Sequence, residues 1–117
     1  MKQLPEVFIH DGFEYKQVRR NEYAAIYRQH WLRSKTDRHD CYEVVIPQIG
    51  KKRRNPETQK WEPCDPYEHY PSSAQWGDDG WTLTTEDRAN QKFEEVVQKA
   101  ISDREQSRRN RRKGERV

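Results

Sequence analysis

Apolar residues are scarce in this chain. The hydrophobic set makes up only 31% of the 117 residues, where ~45–50% (glycine included) is usual for a globular protein. That shortage excludes a large aliphatic core. No apolar stretch approaches the ~20 residues a membrane-spanning helix needs, and no signal peptide is legible. Cysteine occurs twice, at Cys41 and Cys64, too few for a disulfide framework. A cytoplasmic, reducing location with no membrane contact is the expectation.

Aromatic and charged residues fill the gap. Four Trp, six Tyr and three Phe supply much of the area the chain has to bury. A domain of this size is marginally stable alone, so a homodimer or an obligatory partner is expected. The net charge of +3 is unevenly spread. Residues 104–117 carry a net +5, and the first 103 residues sum to −2. Glu62 to Gly80 holds five acidic residues and neither Lys nor Arg. This bipolar layout points to oriented binding.

One stretch organises the rest. In Thr84–Ile101, the residues Ala89, Phe93, Val96, Val97, Ala100 and Ile101 recur at the spacing of one helical face. Thr84 or Thr85 suits the N-cap, and Glu86 and Asp87 suit the positive end of the helix. Upstream lie short strand patterns. Val7–Ile9 is followed by the turn signal Asp11-Gly12, then by alternation through Phe13 and Tyr15. Tyr23–Trp31 reads as an antiparallel partner of that run. Ser34–Asp40 reads as a loop, Cys41–Ile46 as a β-branched strand, and Trp81–Leu83 as a short last strand. The expected fold is α+β: a three- to four-stranded antiparallel meander under one C-terminal amphipathic helix. Residues 1–103 form the domain, 47–80 an irregular Pro/Gly/aromatic loop, and 104–117 a basic tail, either disordered or a helical continuation. Pairing of helices in a dimer is the alternative.

Four constellations could carry chemistry. His39, Cys41, Cys64 and His69 are the ligand types of tetrahedral zinc, at spacings of no common finger; a buried thiol and an exposed one explain the cysteines as well. Glu14-Tyr15-Lys16 has the E-x-K form of a magnesium-dependent nuclease, with both charges on one strand face. The further carboxylate such a site needs is at Asp11, in the turn rather than on a second strand. Lys51, Lys52, Arg53 and Arg54 form a compact basic run, and Arg108, Arg109, Arg111, Arg112 and Lys113 a second. Each could neutralise several phosphates, and arginine favours bidentate contact. A solvated loop and a solubilising tail are the bland explanation. Finally, Trp61, Tyr67, Tyr70, Trp76 and Trp81 are interleaved with carboxylates. They suit core sealing, or an acidic aromatic face for a basic protein surface, with Asp65, Glu68, Trp76, Asp78 and Asp79 as its contacts. No cofactor and no catalytic set is expected.

The stretch Tyr70-Pro71-Ser72-Ser73, Trp76-Gly77, Gly80-Trp81-Thr82, then Ala89 and Phe93-Glu94-Glu95, resembles small proteins encoded by bacteriophages and other mobile elements. With Phe13-Glu14-Tyr15 and Tyr42-Glu43-Val44-Val45, the resemblance spans most of residues 8–98. The strand-then-helix ending is also similar to the WGR-type nucleic-acid-binding module, with Asp78 where that triplet has arginine. The phage-like resemblance implies an accessory protein of the anti-defence, anti-CRISPR type in a bacterial host cell. Such a protein binds and blocks a bacterial nucleic-acid-handling protein or ribonucleoprotein complex by occupying its surface, not by catalysis. A direct DNA- or RNA-binding accessory protein is the alternative, and a metal-dependent nuclease a third reading.

Overall fold

The computed structural model describes residues 1–33 and 41–114, with the backbone alone over 110–114. It is α+β, with antiparallel sheets of five and two strands and one C-terminal helix.

Asp11 and Gly12 both take positive φ, at 50° and 82°. That backbone closes a two-residue hairpin between β1 (Val7–His10) and β2 (Phe13–Arg20). β3 (Ala25–Trp31) pairs with β2 after a turn in which the Asn21 side chain accepts from the Tyr23 and Ala24 amides. β4 (Cys41–Val45) and β7 (Gly80–Leu83) complete the order β1-β2-β3-β4-β7. The sheet therefore has five strands rather than three or four. β2 also runs through Arg20, so Arg19-Arg20 are strand residues and the turn falls at Asn21. The loop expected over Ser34–Asp40 lies outside the described residues.

The helix α1 (Glu86–Gly114) covers one face. The Thr85 hydroxyl accepts from the Arg88 amide, and Glu86 and Asp87 occupy the first turn. Ala89, Phe93, Val96 and Val97 meet Ala24, Ile26 and Val44 in a buried cluster. The helical spacing thus marked the buried stripe correctly. Burying the Phe93 side chain alone contributes about 1.5–3 kcal/mol.

The opposite face is also covered. Tyr15, Ala25, Tyr27 and Val45 form a second cluster with Leu4, and Phe8, Phe13, Tyr70 and Trp76 pack against it. Phe8 stacks on Tyr15 at 4.7 Å between centroids, and Tyr70 meets Tyr27 edge-on at 5.6 Å. Such ring contacts add to area burial, which is how a chain poor in aliphatic residues builds two cores. The buried Tyr27 hydroxyl donates to the Pro5 carbonyl and accepts from Gln17, so the polar end of the ring is satisfied.

The irregular loop expected over 47–80 is mostly ordered. β5 (Gln48–Arg54) and β6 (Trp61–His69) form a separate antiparallel hairpin. A 3₁₀ turn follows at Ser73–Gln75. Prolines hid the second strand. Pro63 and Pro66 lack the N–H a ladder needs, and the register slips there: Gly50 opposes Tyr67, while Lys52 opposes Pro63. The Tyr67 ring lies across Gly50, where a Cβ would sit 2.3 Å from it. Over the described part of the tail, α1 continues helical through Gly114, the helical one of the two alternatives.

Candidate functional site

The two basic runs leave the five-stranded sheet at the same end. Arg20 pairs with Ala25, Ala25 with Val45, and Val45 with Gly80, so these four residues make one terminal row. The hairpin starts at Gln48, just past Val45. α1 starts beyond Leu83 at the other end of the sheet and runs back towards this row. Its Arg104 reaches the Tyr23 hydroxyl, and Lys99 and Asp103 share a groove with Ile46, Asp78 and Asp79. Beyond Ile101 the apolar stripe ends, and every described side chain from Ser102 to Arg109 is exposed. At ~1.5 Å per residue, the 13 residues from Ser102 to Gly114 extend about 20 Å. The long dimension of the molecule is 64 Å.

Lys51, Lys52, Arg53 and Arg54 sit on β5, not in a loop, and all four are exposed. A hydrogen-bonded turn follows their strand. The Asn55 side chain accepts from the Glu57 amide, and the Asn55 amide donates to the Lys60 carbonyl. Arg54 donates to the Gln59 side chain at 2.7 Å. Glu62 stands opposite Arg53 but accepts from Asn55 instead. Among the described residues, none of the four cations on β5 forms an ion pair, and neither does Arg108 or Arg109. Trp61 stands opposite Arg54 in the ladder and is 66% exposed. Arg111, Arg112 and Lys113 lie on the last turns of α1.

The acidic aromatic residues are dispersed. Glu68 is internal: its carboxylate takes Arg20 on one oxygen and the Leu4 amide on the other. Burial opposes its ionisation, but the Arg20 contact and the Leu4 amide outweigh it and hold its pKa below the usual value. Trp76 packs on Gly80 and donates its Nε1–H to Thr82. Asp79 accepts from Gln75. Asp65 and Asp78 are exposed. So Glu68 and Trp76 are built into the fold, and the five residues do not make one docking face. Tyr70 seals the aromatic core, and Trp81 is half-buried against the helix-side core.

Among the described residues, Cys41, Cys64 and His69 do not converge. Cys41 belongs to the five-stranded sheet and Cys64 to the hairpin; His69 contacts the Tyr70 carbonyl. His39 lies outside the described residues. Among the described residues, no group of three His, Cys, Asp or Glu side chains is placed to hold a metal ion. In the E-x-K pair, Glu14 and Lys16 face each other at 3.4 Å. Asp11 turns to His10 at 3.1 Å instead.

The sequence pattern did not single out Glu43. It is 8% exposed, on the aromatic face of β4 beside Val45. Tyr70 donates its hydroxyl to it at 2.6 Å, and Thr82 donates as well. Burial pushes its pKa up, and the two donors only partly offset that. Tyr70 is pushed strongly upward in turn, by burial and then by the Glu43 charge. A glutamate between Tyr42 and Val44-Val45 in a β-branched strand was the available signal. No protein-family model, curated protein or solved structure matches this chain. No helix of the described residues is long and apolar enough to cross a membrane.

Proposed function

We propose that this protein is a non-enzymatic binding protein that docks on a nucleic-acid-handling bacterial complex and obstructs it, as a phage anti-defence protein does. The single observation behind this reading is the pair of cationic projections, β5 and the outer half of α1, leaving one end of the sheet. Among the described residues these cations form no ion pair, which leaves them to engage an external partner. Two separated arms of one sign reach further along a phosphate backbone than either alone, and each contact made releases counterions. Fixed on a strand and a helix, the arginines lose less freedom on binding than on a flexible tail. The phage-like resemblance supplies the bacterial setting. The basic arms engage the nucleic acid held by the complex, and exposed Asp78 remains for a basic protein edge.

Capture from a bacterial lysate tests this. A protein or ribonucleoprotein complex should be retained stoichiometrically and survive nuclease treatment. Capture of nothing in either condition removes the reading.

Direct nucleic-acid binding is the second reading, favoured by exposed Trp61 beside Arg54. An aromatic ring among cations stacks on unpaired bases, worth about 1–3 kcal/mol per base. Capture that disappears entirely with nuclease, together with a gel shift by the pure protein at low salt, selects it.

A further inference from the structure

We propose that the aromatic face carries a binding site for an organic ammonium group, with Glu43 as its counter-charge. A cleft of about 770 Å³ crosses this face. Phe8, Tyr15, Tyr70 and Trp76 line it, with Glu43 and Thr82. The inference rests on these residues and is independent of the cationic arms.

Two inward carboxylates among the described residues, Glu68 and Glu43, are treated differently. Glu68 has the guanidinium of Arg20 against it. Glu43 is more shielded than most acids and has no cation: among the described residues, its partners are the hydroxyls of Tyr70 and Thr82. Removing a carboxylate from water without a counter-charge is costly. Two hydroxyl donors recover part of that cost and fix the orientation of the group. They leave acceptor capacity, since a carboxylate offers about four lone-pair sites. Trp76 holds the arrangement from behind, because its Nε1–H donates to the Thr82 oxygen. A fixed negative charge walled by electron-rich rings is the environment that attracts a cation with an apolar coat.

The chemistry narrows the ligand. An anion is repelled by Glu43. A divalent ion requires more oxygen ligands than converge here: Asp11, the other carboxylate at the cleft, turns to His10, and among the described residues no three His, Cys, Asp or Glu side chains are placed to hold a metal ion. A primary or methylated ammonium fits both features, since its charge meets Glu43 and its methylene or methyl groups meet the rings. Two sources carry that group: a lysine side chain of a partner protein, and a small free amine.

The probes are tetramethylammonium chloride, N-acetyl-lysine methylamide, its trimethylated form, and the neutral N-acetyl-norleucine methylamide. Each is titrated into the intact protein at constant ionic strength and mildly alkaline pH. The readout is the NMR shift of the Trp76 indole N–H. Saturable shifts are expected with the cationic probes and not with norleucine. Glu43→Gln should weaken them by on the order of tenfold or more, and Glu105→Gln should leave them unchanged. His10→Lys, an exposed change at the cleft rim, should weaken binding without touching the core, and so serves if Glu43→Gln does not fold. Tighter binding of the lysine probes than of tetramethylammonium assigns the site to a side chain; the reverse order assigns it to a free amine. Absence of any saturable shift, or undiminished binding in folded Glu43→Gln, overturns the proposal.

Discussion

Arg20, the last residue of β2, grips the carboxylate of Glu68 on β6, and this one ion pair ties the five-stranded sheet to the projecting hairpin. Glu68 also accepts from Leu4, and its own amide donates to the Lys2 carbonyl. The N-terminal arm is therefore part of the same joint. The side chains of the pair are 16% and 10% exposed, so solvent screens them little. Removing one partner strands the other charge. Glu68→Gln is expected to cost about 2–4 kcal/mol, read as a lower urea midpoint at unchanged m-value. An effect under about 0.5 kcal/mol would place the joint elsewhere.

The two inward carboxylates should pull stability in opposite directions with pH. Glu68 has a lowered folded pKa, so its contribution is full above the ordinary glutamate pKa and fades as pH falls through the folded value. Glu43 has a raised folded pKa, so the folded state is favoured below the ordinary value and loses that advantage as pH rises through the folded one. Relative to the parent, Glu43→Gln should therefore gain stability as pH climbs from the ordinary glutamate pKa towards neutrality. Glu68→Gln should show its full deficit at neutral pH and a smaller one in acid. Thermal midpoints of the three proteins across that range check the signs. Parallel curves would contradict both assignments.

Charge reversal on β5 should weaken capture of the complex. Arg53→Glu with Arg54→Glu removes two cations from an exposed strand and leaves the cores intact. For direct nucleic-acid binding, the log–log salt slope should fall by about 0.7–0.9 for each phosphate no longer neutralised. Truncation after Ser107 should act in the same direction. Unchanged capture in both variants would remove the cationic arms from the proposed function.

Gly80 should tolerate no side chain. A Cβ there would lie 2.5 Å from the Trp76 ring, and that ring is held by its bond to Thr82. Gly80→Ala is expected to destabilise by about 1–3 kcal/mol. In Gly80→Ala/Trp76→Ala the combined cost should be smaller than the sum of the two single costs, because the clash is gone. Strict additivity in a double-mutant cycle would show that the ring moves freely.

Phe93→Ala should destabilise by about 3–5 kcal/mol. The ring is 1% exposed between the sheet and Arg19, whose guanidinium sits 4.1 Å above it. A loss of stability below about 1 kcal/mol would mean that the helix does not hold the sheet.

Several parts of this fold were legible in the sequence because they depend on near neighbours. The helical stripe from Ala89 to Ile101 follows from a period of about 3.6 residues, and the Asp11-Gly12 turn from two residues that accept positive φ. The alternation of Ala25 and Tyr27 against Ala24 and Ile26 was readable for the same reason. The β5–β6 hairpin was not, since Pro63 and Pro66 break the local strand signal and the pairing partner supplies the order. Glu68 and Trp76 looked like surface contacts because nothing nearby in sequence announces Arg20, at a separation of 48 residues, or the close approach of Gly80.

By itself the sequence determined the α+β class, the buried stripe of the helix and the separation of basic from acidic stretches, all set by local periodicity and composition. Only the tertiary structure decided which charges are spent inside the fold and which face outward. Glu43 and Glu68 are both glutamates in strands. One meets two hydroxyls and the other a guanidinium, because long-range pairing, not local sequence, sets what each carboxylate faces.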